Sequence, residues 1–520
     1  MARRLHCVVL SVSTALAAAC LLLTPGAIAL GEGQPELLTP KAPPTPQIHG
    51  PKIYGARPGH AFLYRIPSTG TRPIHFSAKG LPASLKLDEH SGIISGTTPE
   101  TRGAYPVILE AVNGLGKTAR PFKIVVGDTL SLTPQMGWND WYTHYEHPSD
   151  SVIRKAADAM IASGMADYGY QFVDVDDAWE RKPASPDPAL AGPVRDAQGN
   201  ILPNRNFPDM AALTAYIHSL GLRTGIYSSP GPVTCGGFEA SHGHESADAQ
   251  QIAAWGFDLL KYDMCSYNSL IDDKNVAAVQ EPYRKMGAIV KALDRDVVLN
   301  MCEYGEGDVW KWGREAGGSS WRTTGDVGAE PGSSLPGFYS VGFANAALSA
   351  YAGPGGWNDP DYLLIGMVGD AHQIELPAKP TSLTPDEQYS YMSMWSLMAS
   401  PLFFSGDMAK LDAFTLNVLC NSEVIDIDQD SLGKQARIVR KTPEEFILAK
   451  SLEDGSVAVG LFNLNGAARS ISVDWKDVAK SGKLTVRDVW RQRDIGAFTG
   501  SYTSSVPAHG VVLVRLRPVS

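Results

Sequence analysis

Between Leu130 and Asp407 the chain alternates short apolar runs with stretches of helical spacing. The runs that predict strands are residues 135–141, 171–179, 222–228, 257–265, 297–303, 320–327, 355–362 and 402–407. Between them, Val152, Ala156, Met160 and Ile161 share one helical face, as do Leu213, Tyr216, Ile217 and Leu220. Eight buried strands alternating with helices predict a (β/α)8 barrel, with a doubly wound open sheet as the alternative. The flanks change period. From about Ile48 to Asp128, short runs such as 107–112 and 122–126 are punctuated by Gly, Pro and Asn, which predicts a small antiparallel β-sandwich. Beyond Asp430, the runs 446–449, 457–462 and 510–516 predict a second one.

The polar residues favour the barrel over the open sheet. Most of the predicted strands end in groups capable of chemistry: Asn139 and Trp141; Asp174, Asp176 and Asp177; Tyr227; Lys261 and Asp263; Glu303; Arg322 and Asp326; Asn358, Asp359 and Asp361. In a barrel these C-terminal ends converge on one mouth, where active sites of the fold lie. Helix capping accounts for one or two such carboxylates, but not for so many strands ending this way.

Composition narrows the function classes. The 520-residue chain is 44% hydrophobic, enough for a large core, and its formal net charge is −10 with no Lys/Arg-rich block. Nucleic acid is therefore excluded as an expected partner, because phosphate neutralisation needs a clustered basic face. Arg3 and Arg4 precede an apolar stretch from Val8 to Leu23, and Ala27-Ile28-Ala29 offers a cleavage site, the pattern of a secretory signal peptide over residues 1–29. A membrane anchor is disfavoured by Ser11, Ser13, Thr14 and the closing Pro25-Gly26, and lipidation at Cys20 by the apolar run continuing past it. The expected protein is exported, periplasmic or extracellular, without a membrane span. Its remaining cysteines are Cys235, Cys265, Cys302 and Cys420, for which an oxidising compartment permits a bridge and arithmetic leaves the pairing open.

Motifs for other chemistries are missing. There is no HExxH, no CxxC pair, no GxxxxGK[ST], no GxSxG and no dinucleotide GxGxxG, so no metal or cofactor is expected. Glycoside hydrolysis fits what remains, since it needs two carboxyl groups flanking a glycosidic bond. Asp263 and Asp326 close the fourth and sixth predicted strands; Lys261 shares a strand face with Asp263, and Arg322 lies four residues before Asp326. On chemistry alone this pair is one choice among many, and a buried ion-pair network is the competing account.

The stretches TPQMGWNDW, VDVDDAW, GLRTGIYSSPGPVTCGGF, GFDLLKYDMC, CEYG, WRTTGDV, AGPGGWNDPDYLLIG, MASPLFFSGD and VIDIDQDSLGKQ resemble glycoside hydrolase family 27, the α-galactosidase and α-N-acetylgalactosaminidase family, over about residues 131–435. The N-terminal stretch GLPASLKLDEHSGIISGTTPETRGAYPVILEAVN is similar to immunoglobulin-like domains beside bacterial extracellular enzymes. The expected architecture is α/β: a (β/α)8 TIM barrel over 130–425, flanked by an N-terminal Ig-like β-sandwich over 48–128 and a C-terminal antiparallel β-sandwich over 430–520. Residues 30–47 are expected to form a Pro-rich linker.

The resemblance implies a retaining double displacement with Asp263 as nucleophile and Asp326 as acid/base. It also implies a binding set: Trp141 as an aromatic wall, Asp176 and Asp177 at the 6- and 4-hydroxyls, Tyr227 near the nucleophile, Lys261 at the 3- and 4-hydroxyls, Arg322 at the 2- and 3-hydroxyls, and Asp361 on the 2-hydroxyl side. Cys235 and Cys265 match the family's disulfide beside the nucleophile. Cys302 would then be a free thiol in the wall, since Gly317 and Gly318 stand where animal members carry its partner. Cys302, Glu303 and Tyr304 resemble the plant pattern Cys-Glu-Trp, and a bulky Tyr304 would exclude an acetamido group. The implied substrates are galactose-terminated oligosaccharides or polysaccharides. The alternatives are a β-L-arabinopyranosidase or α-N-acetylgalactosaminidase of the same family, or a non-catalytic galactoside-binding protein. Tyr362 departs from the Met common at its position, which leaves the pocket floor open.

Overall fold

The computed structural model describes residues 35–328, 335–368 and 377–519; the segment expected to be a signal peptide lies outside them. Eight parallel strands form the central sheet: β1 (Met136–Asn139), β2 (Phe172–Val175), β3 (Arg223–Ser228), β4 (Leu259–Asp263), β5 (Val298–Cys302), β6 (Ser320–Arg322), β7 (Trp357–Asp359) and β8 (Leu402–Phe404). Every residue in them is buried, as expected of strands covered on both faces. Neighbours in sequence are neighbours in space, and β1 pairs with β8. The seam between β7 and β8 is closed by Leu363, whose N–H donates to the Phe403 carbonyl at 2.7 Å while its carbonyl accepts from Ser405 at 3.2 Å. The result is the (β/α)8 barrel.

Helices return the chain between strands: α1 (Asp150–Ala162), α2 (Met210–Ser219), α3 (Glu245–Trp255), α4 (Val276–Lys291), α5 (Phe338–Ala346) and α6 (Pro385–Met398). Their starts are chemically marked. The side chains of Ser149, Asp209 and Asn275 each accept an N-terminal amide, and Thr384 with Glu387 forms a capping box. One connection departs from the alternation. After β5 only a 3-10 turn, Glu306–Lys311, forms, because Tyr304, Gly305, Gly307 and Asp308 all take positive φ, incompatible with a continuing α-helix.

All eight strands are shorter than the sequence pattern predicts, and at two of them the shortening moves a candidate site residue off the strand. β6 ends at Arg322, and β7 ends at Asp359. Asp326 and Asp361 therefore lie in loops beyond the ladder rather than closing their strands. The residues after Arg322 leave the sheet at Thr323-Thr324-Gly325 and turn back, so that Asp326 meets Arg322 again at 3.0 Å.

The N-terminal β-sandwich packs a four-stranded sheet (Ile53–Ala56, Gly116–Val126, Gly103–Asn113, His75–Lys79) on a three-stranded one (Ala61–Arg65, Ile93–Thr97, Leu85–Leu87) around its own apolar core. It seats against the N-terminal end of the barrel. Arg57 binds Asp296 through its Nε at 2.7 Å and its backbone N–H at 3.0 Å, Arg223 donates to the Leu63 carbonyl at 3.0 Å, and the Arg223 guanidinium lies over the Tyr54 ring. The expected linker is instead partly fixed as a strap. Thr39 exchanges hydrogen bonds with Asn417, and the Leu38 N–H donates to the Tyr389 hydroxyl at 3.0 Å. Its prolines suppress regular structure, yet its backbone groups still need partners and find them on the barrel.

The C-terminal β-sandwich is antiparallel throughout, a six-stranded sheet with a two-stranded ribbon, Arg469–Asp474 with Ser501–Val506. Phe446, Leu448, Phe462, Trp490 and Leu513 continue the core of the barrel into it, beneath α6. No helix among the described residues is long and apolar enough to cross a membrane.

Candidate active site

Strand alternation in β4 puts Lys261 and Asp263 on one side and Leu260 and Tyr262 on the other. Asp263, the last residue of β4, points into a cavity at the C-terminal mouth of the barrel. The Tyr304 hydroxyl donates to Asp263 Oδ1 at 2.6 Å, and the Lys261 ammonium stands 4.0 Å from Oδ2. Lys261 donates at 2.8 Å to Asp176 Oδ2, which also accepts from Asn139 at 2.7 Å and from the Tyr362 hydroxyl at 3.3 Å. Among the described residues, Asp176 Oδ1 accepts only the Asp177 N–H, at 2.9 Å. One oxygen of Asp176 is thus saturated by protein, and the other keeps acceptor capacity.

Arg322 organises the opposite rim. Its Nη2 lies 3.0 Å from Asp326 Oδ1 and 3.2 Å from Asp361 Oδ2. Asp361 Oδ2 also accepts from the Tyr142 hydroxyl at 3.1 Å and the Val327 N–H at 2.9 Å, and Asp361 adopts φ 88° to reach them. A non-glycine residue in that region stores strain, and such residues concentrate at functional sites. Three more do so here: Ala178 after Asp177, Cys265 after β4, and Tyr304.

Asp177 is fixed by the N–H groups of Ala178 at 2.6 Å and Gly236 at 2.7 Å. Gly236 sits on the loop after β3, next to Cys235, which is disulfide-bonded to Cys265. The Tyr227 hydroxyl donates to Cys265 Sγ at 2.9 Å. Cys235, Cys265 and Asp263 bring two sulfurs and a carboxylate within 4.8 Å, but the sulfurs are bonded to each other and offer no thiolate to a metal.

The two candidate carboxylates differ in environment. The Asp263 side chain is 7% exposed and that of Asp326 is 47% exposed. Burial pushes the Asp263 carboxyl up; Lys261 and the Tyr304 hydrogen bond pull it back down, while Asp326 and Asp176 oppose them. Burial also lifts Asp177 to about 7 and Asp361 to about 6, the latter against the pull of Arg322. The Lys261 ammonium is held well above its ordinary value: its burial is overcome by the charge of Asp176, with Asp263 adding to it.

The cavity brings together Trp141, Asp176, Asp177, Tyr227, Cys235, Lys261, Asp263, Tyr304, Arg322, Asp326 and Asp361. Cys302 and Glu303 do not line it. Cys302 is a free, buried thiol behind Arg322, whose Nη1 lies 3.6 Å from its sulfur. Glu303 is fully buried, its carboxyl pushed far above the usual range by burial. Cys302 pairs with Asp263, so strand alternation turns Glu303 to the opposite side, while Tyr304 enters the mouth. Tyr142 and Tyr362 also line the cavity. Tyr362 stands beside the NDPD motif, which marks it as part of the floor. Tyr142 follows Trp141 in a short helical turn with no periodic signal to single it out.

A protein-family model described as alpha galactosidase A matches residues 133–430, more than half of the chain. The chain belongs to this family. It is a glycoside hydrolase. The alpha galactosidase C-terminal beta sandwich domain matches residues 446–516, and an Ig domain model matches residues 45–127. Among curated proteins of the family, the alpha-galactosidase of Cyamopsis tetragonoloba is 34% identical over 79% of this chain and 94% of its own length. That of Oryza sativa subsp. japonica is 36% identical over 75% and 86%. A crystal structure from Bacteroides fragilis NCTC 9343 matches with a TM-score of 0.83 at 34% identity, covering 92% of this chain and 98% of that one. Coverage of 92% of this chain extends the likeness beyond the barrel into the flanking sandwiches.

Proposed function

We propose that the protein is an exo-acting α-galactosidase that hydrolyses terminal α-D-galactosyl residues with retention, by double displacement through a covalent galactosyl-Asp263. The observation that carries this reading is the pairing, at one cavity, of a deeply buried carboxylate with a half-exposed one. A nucleophile gains from exclusion of water, whereas an acid/base must reach both the leaving oxygen and incoming water. In the first half-reaction Asp263 bonds to the anomeric carbon as the glycosidic bond breaks, and the Asp326 proton passes to the leaving oxygen. In the second, water bonds to that carbon and gives its proton to Asp326, and the electron pair of the ester bond returns to Asp263.

The curated relatives from Cyamopsis tetragonoloba and Oryza sativa are named alpha-galactosidases, which supports the choice of sugar. So does the unsaturated Oδ1 of Asp176, an acceptor suited to the 6-hydroxyl that a pentopyranoside lacks. Tyr304, held rigidly against Asp263, supports exclusion of a 2-acetamido group. The natural substrates in this reading are galactose-terminated oligosaccharides or polysaccharides. The mature protein is exported, periplasmic or extracellular, a reading supported by the N-terminal pattern and by the Cys235–Cys265 bridge.

The test is hydrolysis of aryl α-galactoside, α-N-acetylgalactosaminide and β-L-arabinopyranoside, with Asp263→Asn alongside. Preference for the first, abolished in the variant, with product released as the α-anomer by NMR, is the expected result. Preference for another sugar overturns the specificity, release of the β-anomer overturns the mechanism, and binding of galactose without turnover overturns catalysis.

A further inference from the structure

Asp263 presents two unequal oxygens. Oδ1 accepts the Tyr304 hydroxyl at 2.6 Å, whereas Oδ2 has the Lys261 ammonium 4.0 Å away, beyond hydrogen-bond reach. Tyr304 is itself tightly constrained. Its backbone sits at φ 59°, a region costly for an aromatic residue. Gly305 follows at φ 86° and packs so closely on the next strand's exit that a Cβ there would lie 2.4 Å from the Thr323 carbonyl oxygen. The Arg322 guanidinium faces the Tyr304 ring at 5.9 Å, and the Cys235 sulfur lies 3.6 Å from its hydroxyl. The strained turn aims one phenol at one carboxylate oxygen.

We infer that Tyr304 is a positioning residue for the nucleophile: its hydroxyl clamps Asp263 Oδ1, leaving Oδ2 as the oxygen that bonds to the anomeric carbon. This rests on the double-displacement reading above. In the resting protein the phenol stabilises the ionised carboxylate. In the intermediate, Oδ2 is esterified and Oδ1 becomes the ester carbonyl. The same O–H then polarises that carbonyl and assists departure of the carboxylate when water attacks. The other titratable groups facing Asp263 are Lys261 on its own strand, and Asp176 and Asp326 across the mouth. Tyr227, Tyr283, Cys302 and Glu303 surround it from β3, α4 and the end of β5. Of these, Lys261 alone offers a positive charge, and it lies on the Oδ2 side.

The test compares the full-length wild-type protein with Tyr304→Phe on an activated aryl α-galactoside, for which hydrolysis of the intermediate limits turnover. The variant removes one charge-assisted hydrogen bond and keeps the ring. The expected result is a fall in kcat of roughly ten- to a hundredfold with a fall in KM. Intact-mass spectrometry should show the galactosyl-enzyme accumulating, and the acidic limb of kcat/KM should move to higher pH. Thermal unfolding checks that the variant is folded, and Tyr304→Leu provides a second removal of the hydroxyl should Phe pack badly. An unchanged pH limb with a raised KM would make Tyr304 a wall only and overturn the inference. Absence of turnover by the wild-type protein would overturn the underlying reading instead.

Discussion

Lys261 donates to Asp176 Oδ2 at 2.8 Å while its nitrogen lies 4.0 Å from Asp263, so one buried cation serves two buried carboxylates. Removing one member of such a group leaves uncompensated charge in a buried site. Lys261→Met is therefore expected to cost at least roughly a hundredfold in kcat/KM. The sign of the pH effect follows from the charge: without the ammonium the Asp263 carboxyl rises further, so the acidic limb moves upward. Lys261→Arg should not restore activity, because a planar fork does not replace a compact ammonium between two carboxylates. Steady-state kinetics across pH decide it, and an unmoved limb would separate Lys261 from the nucleophile.

The site residues that strand alternation can place are legible in the amino-acid sequence itself. Lys261, Asp263 and Arg322 lie within strands, where period-two patterning and the barrel rule fix the side they face, whereas the adjacent Asp176 and Asp177 lie beyond β2, both enter the cavity, and are placed by the family resemblance rather than by alternation. Legibility fails where the backbone leaves the ladder. The sequence pattern extends the sixth strand through Asp326, because Thr323, Thr324 and Val327 are good strand residues; the turn at Gly325 overrides that propensity. The family resemblance places both Glu303 and Tyr304 in the pocket, but Cys302 pairs with Asp263, so alternation turns Glu303 to the other side and of the two Tyr304 lines the cavity. The role of the Pro-rich segment is equally hidden, since the partners of Leu38 and Thr39 lie more than 350 residues away.

Asp177 makes stability depend on pH in a direction opposite to the usual carboxylate. Its folded-state value of about 7, raised by burial from 3.8, means the folded protein holds that proton more tightly than the unfolded chain does. The stability this contributes is present below about pH 4 and is lost as pH rises towards 7, on the order of a few kcal/mol. Asp177→Asn does not titrate. The difference in Tm between variant and wild type should become more favourable to the variant from pH 4.5 to 7.5, while activity is lost at every pH. A difference that stays flat across that range would show that the Asp177 carboxyl is ionised throughout.

The contact of Arg57 with Asp296 makes the N-terminal sandwich part of the barrel's base. Both side chains are nearly buried, at 11% and 9% exposure, and Arg57 also donates to the Lys291 carbonyl at 2.6 Å. Asp296→Ala would strand the guanidinium and is expected to destabilise the protein by about 3–5 kcal/mol. Because the site lies at the opposite end of the barrel, kcat/KM of the folded variant should stay within about twofold of wild type. Chemical denaturation should show a single shifted transition. An early, separate unfolding step with the main transition unmoved would instead describe a sandwich that is merely tethered.

The Cys235–Cys265 bridge ties the β3 loop to the residue two positions after Asp263, so its loss should be felt in chemistry as well as stability. Closing a loop across a separation of 30 residues restricts the unfolded chain by roughly 3–4 kcal/mol. The bridge also carries local structure: Tyr227 donates to Cys265 Sγ, and the neighbouring Gly236 N–H holds Asp177. Cys235→Ser with Cys265→Ser is therefore expected to lower Tm, raise KM as the Asp177 contact loosens, and reduce kcat through motion of the segment following Asp263. A double variant that loses stability but keeps both kinetic constants would confine the bridge to the unfolded state. If stability and KM change together, the β3 loop is a wall of the pocket that the disulfide holds in place.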